Sequence, residues 1–125
     1  MPWDTFFNRA KKEVVIQFDT GNGVAQGGDP VVYLKKKPGR VASVHVKPYS
    51  KAKPNALIGD DELPWKEILH SCETTAGVEW YIIEYESDPN ACETTKGGYL
   101  SPHRFTSRLC RRVRLCSIRQ RHLSR

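Results

Sequence analysis

Apolar residues gather along this chain in three short runs, 13–18, 41–46 and 79–84, each rich in β-branched or aromatic side chains. Such runs predict strands. Between them the spacing becomes helical. Residues 2–10 place Pro2 early and Trp3, Phe6 and Phe7 on one face, which predicts a short helix. Gly21, Gly23, Gly27 and Gly28 predict a flexible loop. Asp29 and Pro30 then read as the N-cap and first residue of a helix reaching about Lys37, where Pro38-Gly39 stops it. A polar loop, 47–62, leads to a second long helical pattern, 64–74, with Trp65, Ile68, Leu69 and Cys72 at i, i+3, i+4 and i+7. Gly77 ends it. Strands alternating with helices of this size predict parallel βαβ units, so the fold class is α/β. The runs are apolar almost throughout, which fits strands covered on both faces.

Each run has at or near its end a residue with chemistry to offer. Asp19, His45 and Glu84 stand at the carboxyl ends of the three strands, and in parallel α/β folds those ends gather on one side, where sites are built. Two carboxylates and an imidazole form a nitrogen- and oxygen-rich donor set suited to a divalent metal: Mn²⁺, Mg²⁺, Co²⁺ or Zn²⁺. Each residue also has an ordinary reading. Asp19 suits a turn before Thr20-Gly21, His45 a hydrogen-bonded strand histidine, and Glu84 a partner for a lysine. Their coincidence at three strand ends favours a common site.

Composition narrows the class of protein. The chain has 125 residues, 38% hydrophobic and 27% charged, which is one ordinary globular domain at most. No apolar run approaches the roughly 18–20 residues of a membrane span. The start, Met1 to Asp4, lacks the features of a signal peptide, so the cytoplasm is expected. Cys72, Cys92, Cys110 and Cys116 form no C-x-x-C pair and are expected to be reduced thiols. Charge is uneven. Residues 1–100 hold 12 Lys and Arg against all 14 acids, whereas 101–125 hold 8 Arg and no acid. The basicity therefore belongs to the tail. Leu109, Val113 and Cys116 suit one face of a cationic helix, which gives an alternative function: a small basic protein binding nucleic acid or an anionic membrane. No aromatic interleaving or nucleic-acid module supports specific nucleic-acid recognition.

The segments Gln17-Phe18-Asp19-Thr20-Gly21-Asn22, Gly28-Asp29-Pro30, Pro38-Gly39-Arg40, Ser43-Val44-His45-Val46-Lys47, Ala56-Leu57-Ile58-Gly59 and Glu79-Trp80-Tyr81-Ile82-Ile83-Glu84 resemble, in order, motifs of the xylose isomerase-like sugar isomerase/epimerase family. The resemblance covers about residues 2–87. It implies part of a TIM (β/α)₈ barrel, residues 1–88, in which the strands are the sixth, seventh and eighth. A tail, 89–125, is expected to be irregular or disordered. The resemblance also implies that Asp19, His45 and Glu84 are three of four metal ligands, and that Glu84 is the catalytic base as well. Lys47 is implied as a substrate contact, although Pro48-Tyr49 replaces an acidic residue common in the family. Glu86 reads as a solvated carboxylate.

The implied function is a metal-dependent isomerase or epimerase of a sugar or sugar phosphate, moving a proton through an enediolate. The fourth ligand and second base would lie on an earlier strand. The chain is therefore expected to be a fragment, inactive alone. It is expected to self-associate through uncovered barrel surfaces, with strand 79–84 lacking an outer neighbour.

Overall fold

The computed structural model describes residues 2–84 and 113–115. Helix α1, Pro2–Arg9, leads to β1, Ile16–Asp19. Helices α2, Thr20–Ala25, and α3, Pro30–Lys36, then cross to β2, Val41–Val46. Helix α4, Trp65–Ser71, widens into a π-helical turn, Cys72–Ala76, before β3, Trp80–Ile83. A further strand, β4, covers Val113–Leu115. All strand pairs are parallel, in the order β1-β2-β3-β4. The fold is α/β.

The first strand starts later than its apolar run predicts. Val14 and Val15 are exposed, at 40% and 65%. The Arg40 guanidinium explains the shift: it donates to the carbonyls of Phe7, Lys11 and Val14, bending the chain into a turn before β1. Only at Ile16, whose N–H reaches the Arg40 carbonyl at 3.0 Å, does the chain meet β2. The face predicted for α1 also divides, since Phe7 is buried while Phe6 is 59% exposed and meets the Phe7 ring edge-on.

The expected glycine loop is also different. Gly21 and Gly23 lie in α2, a helix capped by Asp19. Their role is close approach. A Cβ on Gly21 would stand 2.9 Å from the Pro48 carbonyl oxygen, and one on Gly23 would stand 2.9 Å from the Phe18 ring. The remaining elements follow the sequence pattern closely. Asp29 accepts from the N–H groups of Val31 and Val32, with Pro30 as the first residue of α3. Ile68 and Cys72 are fully buried along α4 and its π turn, and Gly77 ends that turn in the left-handed conformation that favours glycine.

Register gives the sheet two unlike faces. Phe18, Val44 and Tyr81 lie abreast, with Ile16, Val46 and Ile83 on the same side, and all six are buried. Leu34, Ile68, Cys72 and Ala76 close this core from the helices. Phe18 also stacks on Tyr33 with ring centroids 5.3 Å apart. Each fully buried Val, Leu, Ile or Phe contributes about 1.5–3 kcal/mol, so this layer dominates stability. The other face carries Gln17, Asp19, Ser43, His45 and Trp80, and Trp80 is 45% exposed. The sheet is thus covered on one face by the described residues, where the apolar runs suggested two.

The outer edge of β3, expected to lack a neighbour, is paired in parallel by β4, with Tyr81 opposite Val113 and Ile83 opposite Leu115. Val113 therefore belongs to a strand rather than to the cationic helix suggested by residue spacing. Glu86 and the rest of the tail lie outside the described residues, as do Cys92, Cys110 and Cys116. Among the described residues no helix is long and apolar enough to cross a membrane.

Candidate metal centre

Asp19 closes β1, and the ladder sets it directly opposite His45 on β2. Glu84 follows the last residue of β3, with its N–H 3.3 Å from the Val46 carbonyl. Side chains alternate across a sheet, so this register turns all three toward the face away from the core. One donor atom from each lies within 4.8 Å of the others, and all three residues are half-buried. The sequence-predicted trio is brought together.

His45 points Nδ1 into the cluster. It lies 3.8 Å from Asp19 Oδ2 and within hydrogen-bonding reach of Glu84 Oε2. Lys47, one β alternation beyond His45, sets its ammonium 3.5 Å from Glu84 Oε1. The cluster therefore gathers two carboxylates, an ammonium and an imidazole. The ordinary readings of these residues are realised too: Asp19 caps α2, Glu84 pairs with Lys47, and His45 is hydrogen-bonded. These contacts aim the side chains. Asn22 donates its backbone N–H to Asp19 Oδ1 at 2.7 Å and its amide to Oδ2 at 2.9 Å, fixing the carboxylate plane.

Three supporting residues escaped the sequence reading, although all lie inside a quoted motif. Besides Asn22 these are Gln17, whose amide nitrogen is 2.6 Å from His45 Nε2, and Thr20. The Thr20 hydroxyl is fully buried. It donates to the carbonyls of His45 and Lys47 and accepts from the Lys47 N–H, pinning the start of α2 to the end of β2. Alternation was the available signal for Gln17, two residues before Asp19 on the same strand. A fixed Thr20 hydroxyl depends on tertiary contact and leaves no periodic trace.

The donor set fits a divalent cation that accepts oxygen and nitrogen. Two bonds of about 2.1 Å span at most about 4.2 Å, so shifts of about half an ångström close the three donors around one ion. Acidic clusters also occur without metals; here an imidazole joins the two carboxylates.

The fold and this cluster define an α/β protein with a candidate divalent-cation centre at the carboxyl edge of its parallel sheet. No family model matches the chain, and no curated protein matches it.

Proposed function

We propose that the chain is a sugar isomerase/epimerase-type protein of TIM-barrel kind, in which Asp19, His45 and Glu84 hold a divalent cation and Glu84 transfers a substrate proton. The observation that carries this reading is the convergence of two carboxylates and an imidazole, from the carboxyl ends of three adjacent parallel strands, on one sheet face. A bound Mn²⁺, Mg²⁺, Co²⁺ or Zn²⁺ would supply Lewis acidity toward the carbonyl of an open-chain sugar or sugar phosphate.

The protein's own groups have separable tasks. Asp19 is held at both oxygens by Asn22 and suits a fixed ligand. The Glu84 carboxylate meets the His45 imidazole and the Lys47 ammonium and suits a carboxylate that takes and returns the proton beside the carbonyl. The Lys47 ammonium is placed to stabilise negative charge developing on a substrate oxygen. Among the described residues of the cluster, Glu84 is the one carboxylate available for proton transfer. A single base works from one face of the substrate, so no appreciable epimerisation by this chain alone is expected.

The test combines binding with isotope exchange. Mn²⁺ affinity, read from the free-ion paramagnetic resonance signal, should fall at least about ten-fold in Asp19→Ala and in His45→Ala. Ketoses and ketose phosphates incubated with the chain in deuterated water should show no appreciable epimerisation, and deuterium gained beside the carbonyl but abolished by Glu84→Gln would show that the chain is active alone. Mn²⁺ binding indifferent to all three substitutions would remove the basis of the proposal.

A further inference from the structure

The imidazole of His45 is held at both nitrogens. Nδ1 faces the Glu84 carboxylate and Nε2 faces the Gln17 amide nitrogen, 2.6 Å away. An ionised carboxylate only accepts, so Nδ1 carries the proton and donates it. An amide nitrogen only donates, so Nε2 offers its lone pair. Two independent partners thus select one neutral tautomer, with hydrogen on Nδ1.

A cation taken by this cluster needs the opposite tautomer. Nδ1 is the ring atom turned toward Asp19 and Glu84, and a metal-binding nitrogen must present its lone pair. The ring proton then sits on Nε2 and requires an acceptor. The amide nitrogen of Gln17 cannot accept it. The other arm of the same amide can, because a half-turn of the terminal torsion brings Oε1 to the place of Nε2. That torsion is soft, and Gln17 is exposed, so neighbouring packing does not oppose the turn.

We propose that Gln17 is the positioning residue that sets the His45 tautomer, its amide turning from donor to acceptor when Nδ1 takes a divalent cation. Tautomer control stands on the hydrogen bonds alone, while the turn on binding rests on the metal reading above. An asparagine would be too short to span the gap, and an apolar residue would leave the choice to water. Glutamine is the neutral side chain of this length that serves both states.

The test uses the full chain with ¹⁵N-labelled histidine, at mildly alkaline pH where an ordinary imidazole is neutral. The ¹⁵N shifts of His45 report the tautomer directly. Wild type should show the proton on Nδ1, moving to Nε2 under saturating Mg²⁺. Gln17→Glu offers only acceptors, so with Glu84 still facing Nδ1 both ring nitrogens should carry hydrogen before any cation is added, and the new carboxylate should raise Mn²⁺ affinity about ten-fold. Gln17→Lys offers only donors; it should keep the proton on Nδ1 and lower the affinity about ten-fold.

Added charge alone would also move the affinities in these directions. It would leave the cation-free tautomer unchanged, and moderate salt would screen it. The same tautomer in wild type, Gln17→Glu and Gln17→Lys would overturn the proposal, as would a proton on Nε2 in the cation-free wild type. If wild type takes no Mn²⁺, the metal reading fails, and the cation-free tautomer series still decides the role of Gln17.

Discussion

Replacing Thr20 by valine deletes one hydroxyl at a fully buried position and keeps the branched shape. In the native chain that hydroxyl donates toward the Lys47 carbonyl at 2.8 Å and the His45 carbonyl at 3.1 Å, and accepts from the Lys47 N–H at 3.0 Å. A net hydrogen bond contributes about 0.5–1.5 kcal/mol, and a buried group deprived of its partner costs about 1–3 kcal/mol. Thr20→Val should therefore destabilise the fold by roughly 2–4 kcal/mol, a large part of the about 5–15 kcal/mol typical of a domain. Urea unfolding followed by tryptophan fluorescence measures it.

Thr20→Ser provides the control, because it keeps the hydroxyl and loses only a methyl group, worth about 1 kcal/mol. Valine should thus be the worse substitution. Mn²⁺ affinity should follow the same order, since Thr20 ties the Asp19 end of β1 to the strand end bearing His45 and Lys47. Serine proving as damaging as valine would mean that methyl packing, not the hydroxyl, holds this corner, and the reasoning would fail.

Gly21→Ala should cost about 1–3 kcal/mol despite alanine's better helix propensity, because the new Cβ would stand 2.9 Å from the Pro48 carbonyl and from Lys47 Cγ; an unchanged urea midpoint would show that the α2–β2 contact yields freely. Cys72 should resist alkylation in native protein and react only on unfolding, which mass spectrometry after brief labelling reads out. Burial first, and the Glu73 charge second, push its thiol from 9.0 up to about 12. The unfolded thiol ionises from about pH 9 while the folded one keeps its proton, so stability should fall progressively between those values, by up to about 4 kcal/mol from this group. Native labelling at pH 8 as fast as that of unfolded chain would contradict the burial.

Some of this architecture was legible because it rests on local signals. Asp29-Pro30 announced a helix start, the apolar spacing of Ile68 and Cys72 marked a buried helical face, and the run 41–46 matches β2 in full. Asp19, His45 and Glu84 were legible because each lies at or near the carboxyl end of a strand, and parallel topology collects strand ends on one side. What failed depended on distant residues. The late start of β1 is set by Arg40, about 25 positions away, capturing the Lys11 and Val14 carbonyls. Gly21 and Gly23 suggested looseness, whereas tight approach to Lys47, Pro48 and Phe18 requires their lack of a side chain. The partner strand of β3 was missed because Val113 to Leu115, amid arginines, carries no strand-like alternation strong enough to stand out.

The two faces of the sheet separate what holds the fold from what performs chemistry. Ile16, Phe18, Val44, Val46, Tyr81 and Ile83 face the helices and supply the apolar burial, while Gln17, Asp19, Ser43 and His45 project from the same strands to the other side. Because the strand period is two, a one-residue slip of β1 against β2 would bury Asp19 and expose Phe18 together. The register that protects the core therefore also aligns Asp19 with His45, and no independent device is needed to align them. Glu84 differs. It lies just past β3, held to β2 through one backbone bond from its N–H to Val46 and by side-chain contacts to His45 and Lys47. Substitutions on the polar face should leave the core nearly intact, and Glu84 should be the ligand whose position depends most on its partners. Under the proposed function, a carboxylate that moves a proton is better placed at such an end than within the rigid ladder, in keeping with the proposed division of labour between Asp19 and Glu84.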